Sequence, residues 1–127
     1  MIFQPGGAGD IIFRTRAWVS ISEKEETMVV KVLIKRRFKL ENLDQASQIL
    51  IRARYEAMKM DGYITSETWR DLHDPSRITA VSMWQSPEAW NRWYGSSQRK
   101  EFTVELEKIM TAGEKIEPYA LGFQQTT

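Results

Sequence analysis

Trp84, Trp90 and Trp93 put three of the five tryptophans of this 127-residue chain into twelve positions, SMWQSPEAWNRW, residues 82–93. Trp90 and Trp93 are three apart, so on a helix they share one face. Such a face could be an aromatic wall for a flat ligand. It could equally be the apolar side by which a helix packs on a sheet, where each buried Trp is worth about 3–5 kcal/mol over Ala. Trp84 closes an apolar segment and reads mainly as packing. A second chemical candidate is His73 in DLHDPS, flanked by Asp71 and Asp74. A histidine between two carboxylates could be a general base, but Asp74-Pro75 marks a turn, and an exposed turn histidine is the reading we favour. Arg52 and Arg54 lie beside Tyr55. These cations could snorkel at a helix edge or bind an anionic substrate, and solvated surface is the reading we favour. No nucleophile–His–acid set is present.

The composition removes whole classes of chemistry. With no cysteine and one histidine, disulfides, thiolate catalysis, iron–sulfur clusters, Cys-based zinc sites and multi-His metal sites are excluded. The formal net charge of +1 supplies no global field for nucleic acid or an acidic membrane. No apolar run approaches the roughly 20 residues that span a bilayer. A cysteine-free chain suits a reducing cytoplasm, which is the expected location. The densest basic run is Lys35-Arg36-Arg37. Alternation on a strand separates Arg36 from its neighbours, and RITAVSMWQ lacks the aromatic pattern of RNA-binding sheets. A nucleic-acid role is not expected.

The elements that must hold these residues follow from periodicity. Residues 1–27 are Gly-rich at first and then irregular, ending in the charged EKEET. The codons for Lys24-Glu25-Glu26 are purine-only and can spell a bacterial ribosome-binding sequence. The natural start is therefore expected at Met28, with 1–27 an appended or disordered arm. MVVKVLIKRRF places Val30, Val32 and Ile34 on one parity and Lys31, Lys35 and Arg37 on the other, a strand with one wetter face. Glu41-Asn42 offers an N-cap. Leu43, Ala46, Leu50, Ala53, Ala57 and Met60 recur at helical spacing, and Gly62 is expected at the left-handed C′ position. Residues 63–85 read as a hairpin around HDPS. Ser86-Pro87-Glu88 starts a short helix that breaks at Gly95. Ser96 or Ser97 caps a second piece with Phe102, Leu106, Ile109 and Met110 as its buried stripe, ended by Gly113. EKIEPYALGF is a last strand, where Pro118 requires an edge or a bulge.

The order is β-α-β-β-α-β, the split unit of the ferredoxin-like α+β fold. It gives a four-stranded antiparallel sheet with helices on one face. The other face cannot stay bare if apolar, so a second copy packed sheet to sheet is expected. The domain spans 28–121 and 122–127 form a tail.

GYITSETW…DP…ITAVSMWQSPEAWNRWYGSS resembles the antibiotic biosynthesis monooxygenase (ABM) domains of the dimeric α+β barrel superfamily. The residues that carry the resemblance are Gly62-Tyr63, Trp84-Gln85-Ser86, Glu88-Ala89-Trp90, Trp93 and Ser96. It implies a homodimer with a pocket between sheet and helices in each subunit. The activity implied is a cofactor-independent monooxygenase, with no metal, acting on a small aromatic or quinol-type substrate. Trp93, Trp84, Tyr63 and Tyr55 are then the candidate lining, with Trp90 beside them. The haem-degrading branch of the family shares a Trp at Trp93. It needs an iron-ligating His where this chain has Thr103, and an Asn near Ile34-Lys35-Arg36. Haem degradation is therefore disfavoured. The alternatives are a non-catalytic dimeric module for a small apolar ligand, or a scaffold whose tryptophans fill the hollow themselves.

Overall fold

A computed structural model describes residues 28–122. The expectation of a start at Met28 turns on residues 1–27, and most of the expected tail falls at 123–127; both stretches lie outside the described residues. Strand β1, Val30–Arg37, alternates as its β-branched sequence requires: Val30, Val32 and Ile34 are buried, and so is Arg36. A single 3-10 turn, Leu40–Asn42, leads into helix α1, Leu43–Ala57. The expected side-chain cap does not form. Asn42 instead donates from Nδ2 to Gln45 Oε1 at 3.2 Å, and the turn is closed by the backbone, Asn42 N–H to the Lys39 carbonyl at 2.9 Å.

Strands β2, Tyr63–Arg70, and β3, Arg77–Trp84, form the expected hairpin. Its turn is built by two carboxylates. Asp71 Oδ1 accepts from the backbone of His73 and Asp74, and Asp74 Oδ1 accepts from the N–H and hydroxyl of Ser76. These hydrogen bonds favour the ionised forms, which holds both carboxyls below the usual range. Helix α2, Pro87–Tyr94, is capped by Ser86, whose Oγ accepts from Ala89 N–H at 3.1 Å; Ser96 does the same for Arg99 in helix α3, Ser97–Glu107. The latter helix stops at Glu107 rather than at Gly113. Lys39 N–H reaches the Ile109 carbonyl and Thr111 N–H the Arg37 carbonyl, so tertiary bonding to the end of β1 pulls the chain out of its helical path. Strand β4, Lys115–Ala120, completes the sheet.

The strand order is β2-β3-β1-β4, antiparallel throughout. This is the ferredoxin-like α+β arrangement, and Pro118 sits on the edge strand it requires. Two apolar clusters lie beneath the helices. One joins Val30, Val32 and Ile34 to Trp84, Ala89, Trp90 and Trp93; the other joins Phe38 to Ala46, Ile49, Leu106 and Ile109. Phe102 touches both.

Gly62 does not cap a helix. It lies five residues past the end of α1, with φ +89°, at the entry to β2. A Cβ there would run into the Cβ of Ala89. Two parts of the sequence signature, Gly62-Tyr63 and Glu88-Ala89-Trp90, are therefore halves of one close contact between the sheet and α2.

Candidate functional site

The strand register decides which side chains share the space under the helices. Ile34 and Arg36 of β1 stand opposite Ala80 and Ile78 of β3, while Ser66 and Thr68 of β2 stand opposite Ser82 and Ala80. In the middle of this face the residues are small. Above them α1 contributes Ala53 and Ala57. Alanine and serine facing alanine cannot fill a layer set by the larger residues on either side. What remains is a cavity of about 80 Å³ in the seam between the two clusters. Its walls include Tyr63, Trp93, Phe102, Leu50 and Leu106, and its rim holds exposed Arg54 and Thr68. Ligand pockets for drug-sized molecules run to roughly 300–1,000 Å³. The enclosed space is about half of the ~150 Å³ that takes up benzene, so a single ring fits only by reaching out through the open rim.

The charged part of the lining is the main feature. Arg36 and Arg99 both border the cavity and are 8% and 7% exposed. Glu114 joins them: Oε1 accepts from Arg36 Nε at 3.2 Å and lies 3.0 Å from its NH2, while Oε2 accepts from Arg99 NH2 at 2.8 Å. The Arg99 guanidinium also lies over the Tyr94 ring, 4.8 Å from its centroid. Burial alone would push the Glu114 carboxyl up. Its hydrogen bond from Arg99 and the charges of both arginines outweigh that, and the net displacement is downward. Arg36 is displaced downward too, by burial first and by the like charge of Arg99, against the pull of Glu114. The triad carries two positive charges and one negative. Among the described residues, neither guanidinium hydrogen-bonds to any acceptor but Glu114.

The sequence candidates divide. Trp93 and Tyr63 line the cavity, and the Tyr63 hydroxyl is paired with Ser66 Oγ at 2.6 Å. Trp84 and Trp90 do not line it. Trp84 is 0% exposed, donates from Nε1 to Ser82 Oγ at 2.9 Å, and meets Tyr63 and Trp90 edge-on. Both belong to the packed end of the first cluster. Tyr55 is 62% exposed on the outer side of α1 and borders a separate open hollow, with Lys59 over its ring; helix phase turns it away from the sheet. His73 is exposed in the hairpin turn, where its backbone N–H is what the turn uses. Of the two helix arginines, Arg54 reaches the cavity rim, whereas Arg52 pairs with Glu105 at 2.9 Å. Thr103, on the cavity wall, donates its hydroxyl to the Arg99 carbonyl at 2.9 Å.

Arg36, Arg99 and Glu114 were not among the sequence candidates. Arg36 left a signal, because it shares the parity of Val30, Val32 and Ile34. Arg99 left a weaker one, three residues before Phe102 on the stripe of α3. Glu114 lies in the turn between α3 and β4, where no period marks it. A larger groove of about 700 Å³ lies at one end of the sheet, lined by Lys35, Arg37, Arg70, Arg77 and Lys115 around Trp69. Arg36 borders it as well. Its other cations are exposed, and Lys35, Arg37 and Lys115 are already engaged by Glu117 or Asp74.

An α+β ferredoxin-like domain with a cavity between sheet and helices is thus the class that the fold and site define. Residues 29–104 match the model of the family described as antibiotic biosynthesis monooxygenase, and the chain belongs to that family. Solved structures give the same fold. A conserved protein from Methanosarcina mazei Go1 is 18% identical with a TM-score of 0.69, over 76% of this chain and 96% of that one. SnoaB, a cofactor-independent oxygenase from Streptomyces nogalater, is 12% identical with a TM-score of 0.66, over 77% and 95%. Rv0793 from Mycobacterium tuberculosis is 11% identical with a TM-score of 0.68, over 77% and 99%. Among curated proteins no significant match is found. No helix among the described residues is long and apolar enough to cross a membrane.

Proposed function

We propose that this protein is a cofactor-independent monooxygenase acting on a small, single-ring aromatic or quinol-type substrate. The observation that carries the reading is a cavity in an ABM-family domain that sets buried guanidinium groups against aromatic walls. An electron-rich substrate anion can reduce O2 itself. The net change is balanced without another reductant: the substrate gives up two hydrogens and four electrons, one oxygen atom enters the product as a carbonyl, and the other leaves as water. The protein's part is to exclude water, hold the ring against Trp93 and Phe102, and stabilise the anion with the positive field of Arg36 and Arg99. The fold of SnoaB, itself a cofactor-independent oxygenase, supports the reading. The cavity volume favours one ring over fused rings. An oxygen electrode tests it: single-ring quinols should consume O2 faster with the protein than in buffer, and Ala53→Leu, which fills the cavity, should remove the excess. No excess with any such quinol would overturn the proposal.

A non-catalytic ligand-binding role is favoured by one observation. Among the described residues no side chain of the wall is poised to take a proton: Tyr63 is engaged by Ser66, and Glu114 behind the wall is held ionised by two arginines. Binding without turnover distinguishes this role.

The second copy belongs to the same proposal. The face of the sheet away from the helices carries Leu33, Val81 and Met83 in register. Val81 is itself buried and Leu33 and Met83 are half-buried, while Trp69, 44% exposed, and Tyr119, 53% exposed, are the open apolar residues of this face. A homodimer formed sheet to sheet would cover this face and leave each cavity on its own side. Sedimentation velocity should give twice the chain mass.

A further inference from the structure

The triad is short of negative charge. Each guanidinium has five N–H donors in a planar fork, and Glu114 engages only part of each fork: Nε and NH2 of Arg36, and NH2 of Arg99. Both arginines are more than nine-tenths buried, so bulk water screens little of the excess charge. An unneutralised buried guanidinium is costly, so an anion beside these two is favoured. The rest of the wall is mostly apolar and aromatic, and the hydroxyls of Ser66, Ser82 and Thr103 on it are each already hydrogen-bonded within the protein. At the rim Arg54 makes no ion pair among the described residues, and the Glu67 carboxylate lies on the other face of the sheet, where it accepts from the Trp69 indole at 3.0 Å.

We propose that the cavity is a binding site for a small aromatic monoacid, a single ring bearing one carboxylate. The carboxylate accepts in two places from the N–H groups of Arg36 and Arg99 that Glu114 leaves free, and the ring lies against Trp93 and Phe102. Carboxylate and guanidinium match as fork to fork. Glu114 sits between the two positive charges and fixes the part of each fork that it binds, which makes it a positioning residue. The permanent charge also sets orientation, since it anchors one end of the ring and directs the other toward the rim.

This deepens the oxygenase reading by naming the substrate class, and it rests on that reading only for what happens after binding. Isothermal titration of the full-length protein tests it without turnover. Benzoate should bind once per chain. Benzamide, which keeps the shape and loses the charge, should bind at least about tenfold more weakly, and so should acetate, which keeps the charge and loses the ring. Ala53→Leu leaves the triad untouched and should abolish binding by filling the space for the ring. Arg99→Lys keeps the charge but loses the fork, and should weaken benzoate about tenfold or more. Equal affinity for benzamide, equal affinity for acetate or inorganic phosphate, or unchanged binding by Ala53→Leu would each overturn the site. The wild-type comparison of benzoate with benzamide needs no variant to fold. Benzoate binding in a protein that consumes no O2 leaves this site standing and removes only the oxygenase. Turnover confined to uncharged quinols does the reverse.

Discussion

Replacing Glu114 with glutamine should destabilise the fold by about 2–3 kcal/mol. Glu114 is 18% exposed and bridges arginine side chains that are 7% and 8% exposed. Removing one partner from a buried ion pair costs about 3–5 kcal/mol, because the charge left behind has already lost its water. The residual exposure of Glu114 points to the lower end. Glutamine fits the same space and its amide oxygen can still accept, which returns about 1 kcal/mol. For a domain of this size the loss corresponds to a fall in Tm of about 10–20 °C. Urea unfolding followed by far-UV circular dichroism, at one fixed protein concentration because association feeds into stability, measures it directly. The pH dependence has a definite sign. Glu114 titrates lower in the folded chain than in the unfolded one, so its contribution is complete above the ordinary glutamate range and disappears as pH falls through the folded-state value. Glu114→Gln should therefore flatten the acid limb of the stability curve. A loss under about 1 kcal/mol, with an unchanged acid limb, would refute the claim that the triad is buried and coupled.

Three more outcomes are expected. Gly62→Ala should cost about 2–4 kcal/mol in urea unfolding, since the new Cβ meets both a left-handed backbone and Ala89. Trp84→Ala should cost about 3–5 kcal/mol as a packed core residue, whereas Tyr55→Ala, on the exposed side of α1, should stay within about 0.5 kcal/mol and leave benzoate affinity unchanged. Met83→Glu places a charge on the outer face of the sheet and should shift sedimentation from dimer toward monomer while circular dichroism stays native.

Most of the fold was legible because each element repeats its own reason. Val30, Val32 and Ile34 alternate, Ala46, Ala53 and Ala57 fall at helical spacing, and Ser86-Pro87 and Ser96 start helices where capping chemistry says they should. The errors fall where long-range contacts decide. Gly62 reads as a helix end because a C′ glycine and a glycine pressed against Ala89 look alike in one dimension. Gly113 reads as the end of α3 because the pull of Lys39 and Arg37 on residues 109–111 has no local trace. The site was legible only in its aromatic half. Tryptophan is conspicuous, and Trp93 does reach the cavity. The cavity itself is made by what is missing, at Ala53, Ala57, Ala80 and Ser82, and small residues raise no alarm in a sequence. Arg36 was visible as a charge on an apolar parity, but its meaning depends on Arg99 and Glu114, which are distant along the chain and adjacent only once folded.

The most direct measurement is a crystal structure of the protein grown with benzoate. The expected result is one ligand per chain beneath α1, its carboxylate within hydrogen-bonding distance of Arg36 and Arg99 and its ring against Trp93, with Glu114 still bridging the two arginines. A ligand seated elsewhere, or a cavity closed over by Trp93 with the arginines turned out to solvent, would contradict the assignment of this seam as the functional site.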